Sequence, residues 1–106
     1  MNKTDVKKII NYISEGPYKK IFYDGGGIKA QIVCLKAGQT IPPCKMNNDV
    51  LFYIIKGEGE IIVDNETEDL KEMVSVIVPR KAESRSISAK TDMIILAVQG
   101  RTNNEK

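Results

Sequence analysis

Residues 36–59 read KAGQTIPPCKMNNDVLFYIIKGEG and carry the strongest structural signal in this chain. The run from residue 50 to residue 56 is rich in β-branched and aromatic residues, which favours a β-strand. Gly57, Glu58 and Gly59 then separate this run from a second apolar run. A glycine-containing turn between two apolar runs is typical of an antiparallel hairpin, so this stretch predicts paired strands.

The same alternation of apolar runs and turn residues extends over most of the chain. From Tyr18 onward, short runs of Ile, Val, Tyr and Phe are separated by Gly, Asn, Asp and Pro, which is typical of an all-β domain. A chain of 106 residues is long enough for one such core and too short for two. The predicted strands are 19–23, 29–35, 39–41, 50–56, 59–63, 66–70, 75–78, 84–88 and 93–99.

The first 17 residues predict a short amphipathic α-helix. Apolar residues between positions 6 and 13 repeat at helical spacing, Thr4 can cap the helix, and Gly16 with Pro17 ends it. Its apolar stripe would pack against the main domain or a partner subunit. The predicted organisation is a helix in residues 1–17, a β-barrel in residues 18–100 and a flexible tail in residues 101–106.

Composition limits the partners and the compartment. A net charge of +2 is too small to indicate a nucleic-acid surface. The apolar part of the N-terminal segment is too short for a signal peptide or a membrane span, so we expect a cytoplasmic protein with no membrane partner. In that compartment Cys34 and Cys44 are expected to be reduced thiols rather than a disulfide.

Gly38 and Gly57, with Ile41-Pro42-Pro43 between them, resemble the first conserved motif of the cupins. That motif runs glycine, five residues, His-x-His, three or four residues, glutamate, six residues and glycine. The resemblance covers about residues 28–99 and is to small single-domain cupins of the conserved-barrel family. It implies a cupin-like double-stranded β-helix, a jelly-roll barrel, to which the predicted N-terminal α-helix is added.

The residues that hold a metal ion in cupins are replaced in this sequence, which contains no histidine. Cys44 and Met46 stand at the two histidine positions of the first motif, and Val50 stands at the glutamate position. The second motif can be placed through Pro79, and it puts Ser84 at the remaining histidine position. These side chains do not suit iron, manganese, nickel or zinc, so we expect no metal and no cofactor.

The former metal positions are the predicted ligand-binding site. Alternate residues of a strand share one face, and the resemblance makes this face the barrel interior. Gln31 and Tyr53 are further candidates for orienting a ligand. The predicted lining residues are Cys44, Met46, Val50, Phe52, Ser84 and Ser86.

The opposite face of the same strand predicts an interface. Leu51, Tyr53 and Ile55 alternate with the inward residues and are too apolar as a group to be left in water. Either the N-terminal helix or a second subunit can cover them. Small cupins commonly form dimers, so the resemblance implies a homodimer.

Several functions remain open at this point. We expect a metal-free small-molecule-binding or sensing protein of unknown ligand, with no catalytic residue, because Cys44 has no histidine to act as its base. A metal-independent enzyme and a purely structural or interaction barrel are the alternatives. A Cu(I) site is a further alternative, in which Cys34 or Met73 would have to join Cys44 and Met46.

Overall fold

Nine β-strands form in residues 1–100, the part of the chain that this computed structural model describes. Strands β4 to β7 have the predicted bounds, and the other five begin or end within a few residues of the prediction. The all-β class is therefore confirmed. The strands are β1 (Tyr18–Asp24), β2 (Ile28–Leu35), β3 (Thr40–Cys44), β4 (Val50–Lys56), β5 (Gly59–Val63), β6 (Glu66–Leu70), β7 (Ser75–Val78), β8 (Arg85–Ala89) and β9 (Met93–Gly100).

The strands form two sheets in which every pairing is antiparallel. One sheet has five strands in the order β1-β2-β9-β4-β7, and the other has four in the order β3-β8-β5-β6. The chain crosses repeatedly between the two sheets, so that strands distant in sequence become neighbours. This arrangement is the predicted jelly-roll barrel.

A single apolar core fills the space between the two sheets. Strand β4 illustrates its origin, because Val50, Phe52 and Ile54 are buried while Leu51 and Tyr53 on the other face are only half-buried. The predicted inward and outward sets of this strand are thus confirmed. The largest fully buried side chains of the core are Leu35, Ile54, Ile61, Leu70, Ile87, Met93 and Ile95.

The predicted N-terminal α-helix is not formed. Only Val6–Lys8 make one 3₁₀ turn, and its cap is Asp5, whose Oδ1 accepts a hydrogen bond from the backbone nitrogen of Lys7 at 3.1 Å. A short isolated helix is marginal in water, and its apolar residues gain more by lying along a sheet. A second cluster on the outer face of the five-stranded sheet shows this, with Val6, Ile9, Ile10 and Tyr12 packed against Ile32, Cys34 and Ile94.

The predicted tail and the helical content of the chain remain to be compared with the structure. The predicted flexible tail, residues 101–106, lies outside the described residues. Within residues 1–100, no helix has the length and apolar character needed to cross a membrane.

The two motif glycines have different structural roles. Gly38 and Gly57 both adopt a positive φ, of 89° and 95° respectively, which residues other than glycine rarely adopt. Open space surrounds the position of a Cβ atom at Gly38. At Gly57 such an atom would overlap the backbone carbonyl oxygen of Asp92 and come within 2.9 Å of the Cα atom of Met93. The backbone of β9 therefore requires a glycine at position 57.

Replacing each glycine by alanine separates these two effects. We expect Gly38→Ala to lower the free energy of unfolding by about 1 kcal/mol, the cost of the positive φ alone. Gly57→Ala should lower it by about 3 kcal/mol or more, because the overlap with the β9 backbone is added. Urea unfolding of both variants measures the difference. Equal losses would show that the close approach at Gly57 has no energetic weight.

Candidate functional site

The inward faces of three strands change from apolar to polar toward one end of the barrel. On β2 the inward series is Leu35, Val33, Gln31 and Lys29, and on β9 it ends at Gln99 after three apolar residues. On β8 it runs from Ala89 through Ile87 to Arg85. Antiparallel pairing brings Lys29 opposite Gln99 and Gln31 opposite Ala97, so the polar ends meet. This polar end of the barrel is called the mouth below.

An open cleft of about 600 Å³ lies at the mouth. Its volume is within the range that small-molecule sites occupy. The cleft is lined by Lys19, Lys20, Ile21, Lys29, Gln31, Ile41, Cys44, Met46, Arg85 and Gln99.

The cleft narrows inward to a small pocket of about 30 Å³, which is room for about one water molecule. Lys19, Gln31, Ile41, Arg85 and Gln99 line both spaces. Below this inner pocket the barrel is filled by the apolar core. A ligand would therefore occupy the mouth rather than the centre of the barrel. The remaining residues of the inner pocket are Val33, Val50, Phe52 and Ala97.

Four of the predicted site residues lie at this place. Cys44 and Met46 line the cleft, where Cys44 is exposed and Met46 is half-buried against the core. Val50 and Phe52 line the inner pocket. Gln31, a further candidate from the sequence, lines both spaces.

The predicted inward orientation of Ser86 is wrong, and Ser84 is not at the cleft. Neither serine lines the cleft or the inner pocket. On β8 the buried positions are Arg85, Ile87 and Ala89, so Ser86 lies on the opposite face. The side chain that enters the mouth is Arg85. Tyr53 is on the outer face of β4 and is also absent from the lining.

Asp64 explains the displacement by one residue. This residue is in the turn between β5 and β6, with a φ of 53°. Its Oδ1 accepts hydrogen bonds from the backbone nitrogens of Glu83 and Ser84 at 2.9 and 3.0 Å, and its own nitrogen donates to the Ser84 carbonyl at 2.9 Å. Carboxylate hydrogen bonds of this kind are strong. They hold Ser84 in the loop, so that β8 begins at Arg85.

Arg85 is the unusual residue of the site. It is only 9% exposed, and its guanidinium carbon lies 4.9 Å from the centroid of the Phe52 ring. The Nε atom is buried without a hydrogen-bond partner in residues 1–100. A buried donor that lacks a partner costs about 1–3 kcal/mol. The ring face of Phe52 offsets part of this cost.

The surroundings of Arg85 are cationic. Lys19, Lys20 and Lys29 line the cleft together with Arg85, and no Asp or Glu of the described chain contributes to its lining. Lys45 follows Cys44 in the sequence but does not line the cleft. Its Nζ is 3.7 Å from a carboxylate oxygen of Glu83. Within residues 1–100, the mouth therefore presents several positive charges and no lining carboxylate.

A divalent cation does not fit these residues. Within residues 1–100, no three His, Cys, Asp or Glu side chains are grouped as metal ligands. At the former metal positions the cation would face Met46, Val50 and the guanidinium of Arg85, which would repel it.

The additional ligands required for a Cu(I) site are elsewhere. Cys34 is fully buried on the outer face of β2 beneath the N-terminal segment. Met73 is 79% exposed in the turn between β6 and β7. Cys44 and Met46 therefore have neither of the partners that the copper hypothesis required.

The two cysteines are free thiols with contrasting environments. This confirms that they do not form a disulfide. Burial raises the pKa of the Cys34 thiol, and a hydrogen bond from the backbone of Asn11 offsets only part of that effect. Cys34 is thus both inaccessible and less ionised than an ordinary thiol, whereas Cys44 is exposed at the cleft.

This contrast predicts selective labelling. In the native protein at pH 8, Ellman's reagent should react quickly with one thiol equivalent, which is Cys44. The second equivalent, Cys34, should react on the order of a hundredfold more slowly, because it requires local opening and the reactive thiolate is scarce. Cys44→Ser should abolish the fast phase and Cys34→Ala the slow phase. Two thiols that react at the same rate would contradict the burial of Cys34.

Replacing Arg85 by methionine tests whether its charge lacks a structural partner. Methionine keeps much of the side-chain volume and removes the charge, so the free energy of unfolding should be unchanged or higher by up to about 2 kcal/mol. Arg85→Ala, in contrast, should lower it by about 2 kcal/mol because the packing on Phe52 is lost. Urea unfolding measures both variants. A loss above about 1 kcal/mol in Arg85→Met would indicate a structural ion pair.

No protein-family model matches this sequence, and no curated protein matches it significantly. Solved structures nevertheless share its fold. A conserved protein of unknown function from Streptococcus pyogenes is similar with a TM-score of 0.83 at 18% identity, over 96% of this chain and 89% of that one. A cupin superfamily protein from Desulfitobacterium hafniense gives 0.81 at 17% identity, over 90% and 86%.

An RmlC-like cupin from Desulfovibrio desulfuricans gives a TM-score of 0.84 at 17% identity, over 94% of this chain and 96% of that one. These similarities establish the cupin fold of this small domain, as the motif in residues 36–59 predicted. At such low identities they concern the fold alone. The function has to be inferred from the residues of the mouth.

Proposed function

We propose that this protein binds a small molecule in the cleft at the mouth of its barrel, without a divalent cation and without catalysis. The observation that carries the proposal is the cleft itself, in which apolar walls and a few convergent polar groups surround about 600 Å³. Ile41 and Met46 offer apolar contact area. Gln31, Gln99 and Arg85 offer hydrogen bonds at the inner end.

The chemistry of the lining supports binding rather than catalysis. None of the described lining residues is a carboxylate, tyrosine or histidine that could act as a general base. Of the described lining residues, only Cys44 and the amines of Lys19, Lys20 and Lys29 could act as nucleophile or proton acceptor. A metal-independent enzyme would have to use one of these lysines, because Cys44 has no other described group in the lining that could accept its proton.

The homodimer and the cytoplasmic location stay predictions. The outer face of the five-stranded sheet retains exposed apolar side chains, among them Ile77 at 67% exposure and Ile55. The N-terminal segment covers only the part of this sheet around Ile32, Cys34 and Ile94.

A thermal-shift screen of metabolites in the presence of EDTA tests the proposal. A ligand at a hundred times its Kd stabilises a protein by about 2.7 kcal/mol, which raises Tm by about 10 °C in a domain of this size. We expect at least one chemical class to produce such a shift. The shift should be lost in Cys44→Trp, whose side chain would occupy the cleft.

The matched control is Thr67→Trp, on the exposed strand β6 away from the cleft. It should retain the full shift. A shift that persists in Cys44→Trp would place the ligand elsewhere, and a shift that appears only when the screen is repeated with a divalent cation in place of EDTA would contradict a metal-free site. If no compound gives a thermal shift that Cys44→Trp abolishes, the structural-barrel alternative is favoured.

A further inference from the structure

The mouth contains a side chain whose charge has no partner in the described chain. None of the hydrogen bonds or ion pairs within residues 1–100 involves the Arg85 guanidinium, although the residue is nine-tenths buried. Arginine does not lose its proton in proteins, so this charge is permanent. Arg85 lines both the inner pocket and the cleft. It is therefore available to a group that enters from the cleft.

The position of Arg85 in the fold is also informative. In the ladder between β3 and β8, Arg85 is the partner of Cys44, which stands at the first histidine position of the motif. Val50, at the glutamate position, lines the same inner pocket as Arg85. A fixed positive side chain thus stands among the positions that the resemblance assigns to metal ligands.

The surrounding groups indicate the charge of the missing partner. Lys19 and Lys29 line the same cleft, and the lining of residues 1–100 contains no carboxylate that could neutralise Arg85. A concave surface with charges of one sign attracts ligands of the opposite sign. The side-chain amides of Gln31 and Gln99 can each donate further hydrogen bonds to an oxygen atom.

We infer that the ligand of this cleft is a small organic carboxylate, whose two oxygens pair with the guanidinium of Arg85 while its apolar body contacts Ile41 and Met46. The inference rests on the proposed function and names the chemical class that the cleft takes. The N–H donors of a guanidinium lie in its plane and match the two oxygens of a planar carboxylate. The guanidinium carbon lies over the Phe52 ring, 4.9 Å from its centroid. The apolar wall favours an organic acid over inorganic phosphate.

Titrations followed by ¹H–¹⁵N NMR test the inference with matched pairs of probes. Butyrate, succinate and benzoate are each compared with the corresponding amide, in a chloride-poor buffer because small anions would compete for the site. At least one acid should bind and shift the resonances of the residues that line the cleft. Its amide should bind at least tenfold more weakly. The Arg85 Nε–H resonance should move on addition of the acid.

Variants assign the effect to Arg85. Arg85→Met should weaken binding of the acid at least tenfold and leave the amide unchanged, while Arg85→Lys should give an intermediate loss. The control Lys90→Met removes one positive charge outside the cleft, from an exposed pair with Asp69, and should change neither affinity by more than twofold. Arg85→Gln is a second neutral variant if Arg85→Met does not fold, which the dispersion of the NMR spectrum reveals.

Three results would overturn the inference: no acid bound at 50 mM, an acid that binds Arg85→Met as well as wild type, or phosphate bound more tightly than every acid. These outcomes are distinct from failure of the proposed function. A neutral compound that Cys44→Trp excludes but Arg85→Met still binds would leave the binding function intact and refute the carboxylate. If no compound shows binding that Cys44→Trp abolishes, both the carboxylate inference and the proposed binding function are refuted.

Discussion

Close packing of the inward side chains between the two sheets is the constraint on which the remaining structure depends. Side chains of a strand alternate between the two faces of the sheet, so one buried residue determines the face on which each of the remaining residues of that strand lies. Once Ile54 on β4 and Ile95 on β9 are in the core, Phe52 and Gln99 must point toward the same interior. The residues of the mouth are thus positioned by the packing of the core.

The mouth differs from the core in that its polar groups are not satisfied by one another. Native interiors usually pair their buried charges, and unpaired ones are rare because desolvation is expensive. Arg85 is held in this environment by its place on β8, between the ladders to β3 and β5. A buried polar group that is left without a partner at a cleft is the pattern expected when binding, rather than folding, determines a residue's identity.

The sequence predicts the strands of this protein well and its site only in part. Turn residues locate the ends of β4 to β7 correctly, and they do so even for the polar strand β6, in which Leu70 is the one apolar residue. The prediction of an N-terminal helix is wrong because helical spacing of apolar residues also suits an irregular segment that lies on a sheet. Tertiary packing decides between the helix and the irregular segment.

The error at Ser84 and Ser86 has a specific physical origin. Counting from Pro79 assumes a fixed path for the following loop, but the hydrogen bonds that the backbone nitrogens of Glu83 and Ser84 donate to the Asp64 carboxylate determine where β8 begins. Asp64 is distant in sequence, so no local pattern contains this information. The pattern Arg85, Ile87, Ala89 did contain a usable signal, because Ile87 and Ala89 are the apolar members of the strand.

Replacing a bound metal ion by a guanidinium changes how such a site can respond to its environment. A metal ion dissociates and depends on supply, whereas a guanidinium is covalently attached to the chain. Histidine is the side chain whose ordinary pKa lies between pH 5 and 8, and this chain contains none, so no imidazole can switch the charge of the mouth. The proposed carboxylate ligand would respond to pH through its own protonation, and competing anions would displace it.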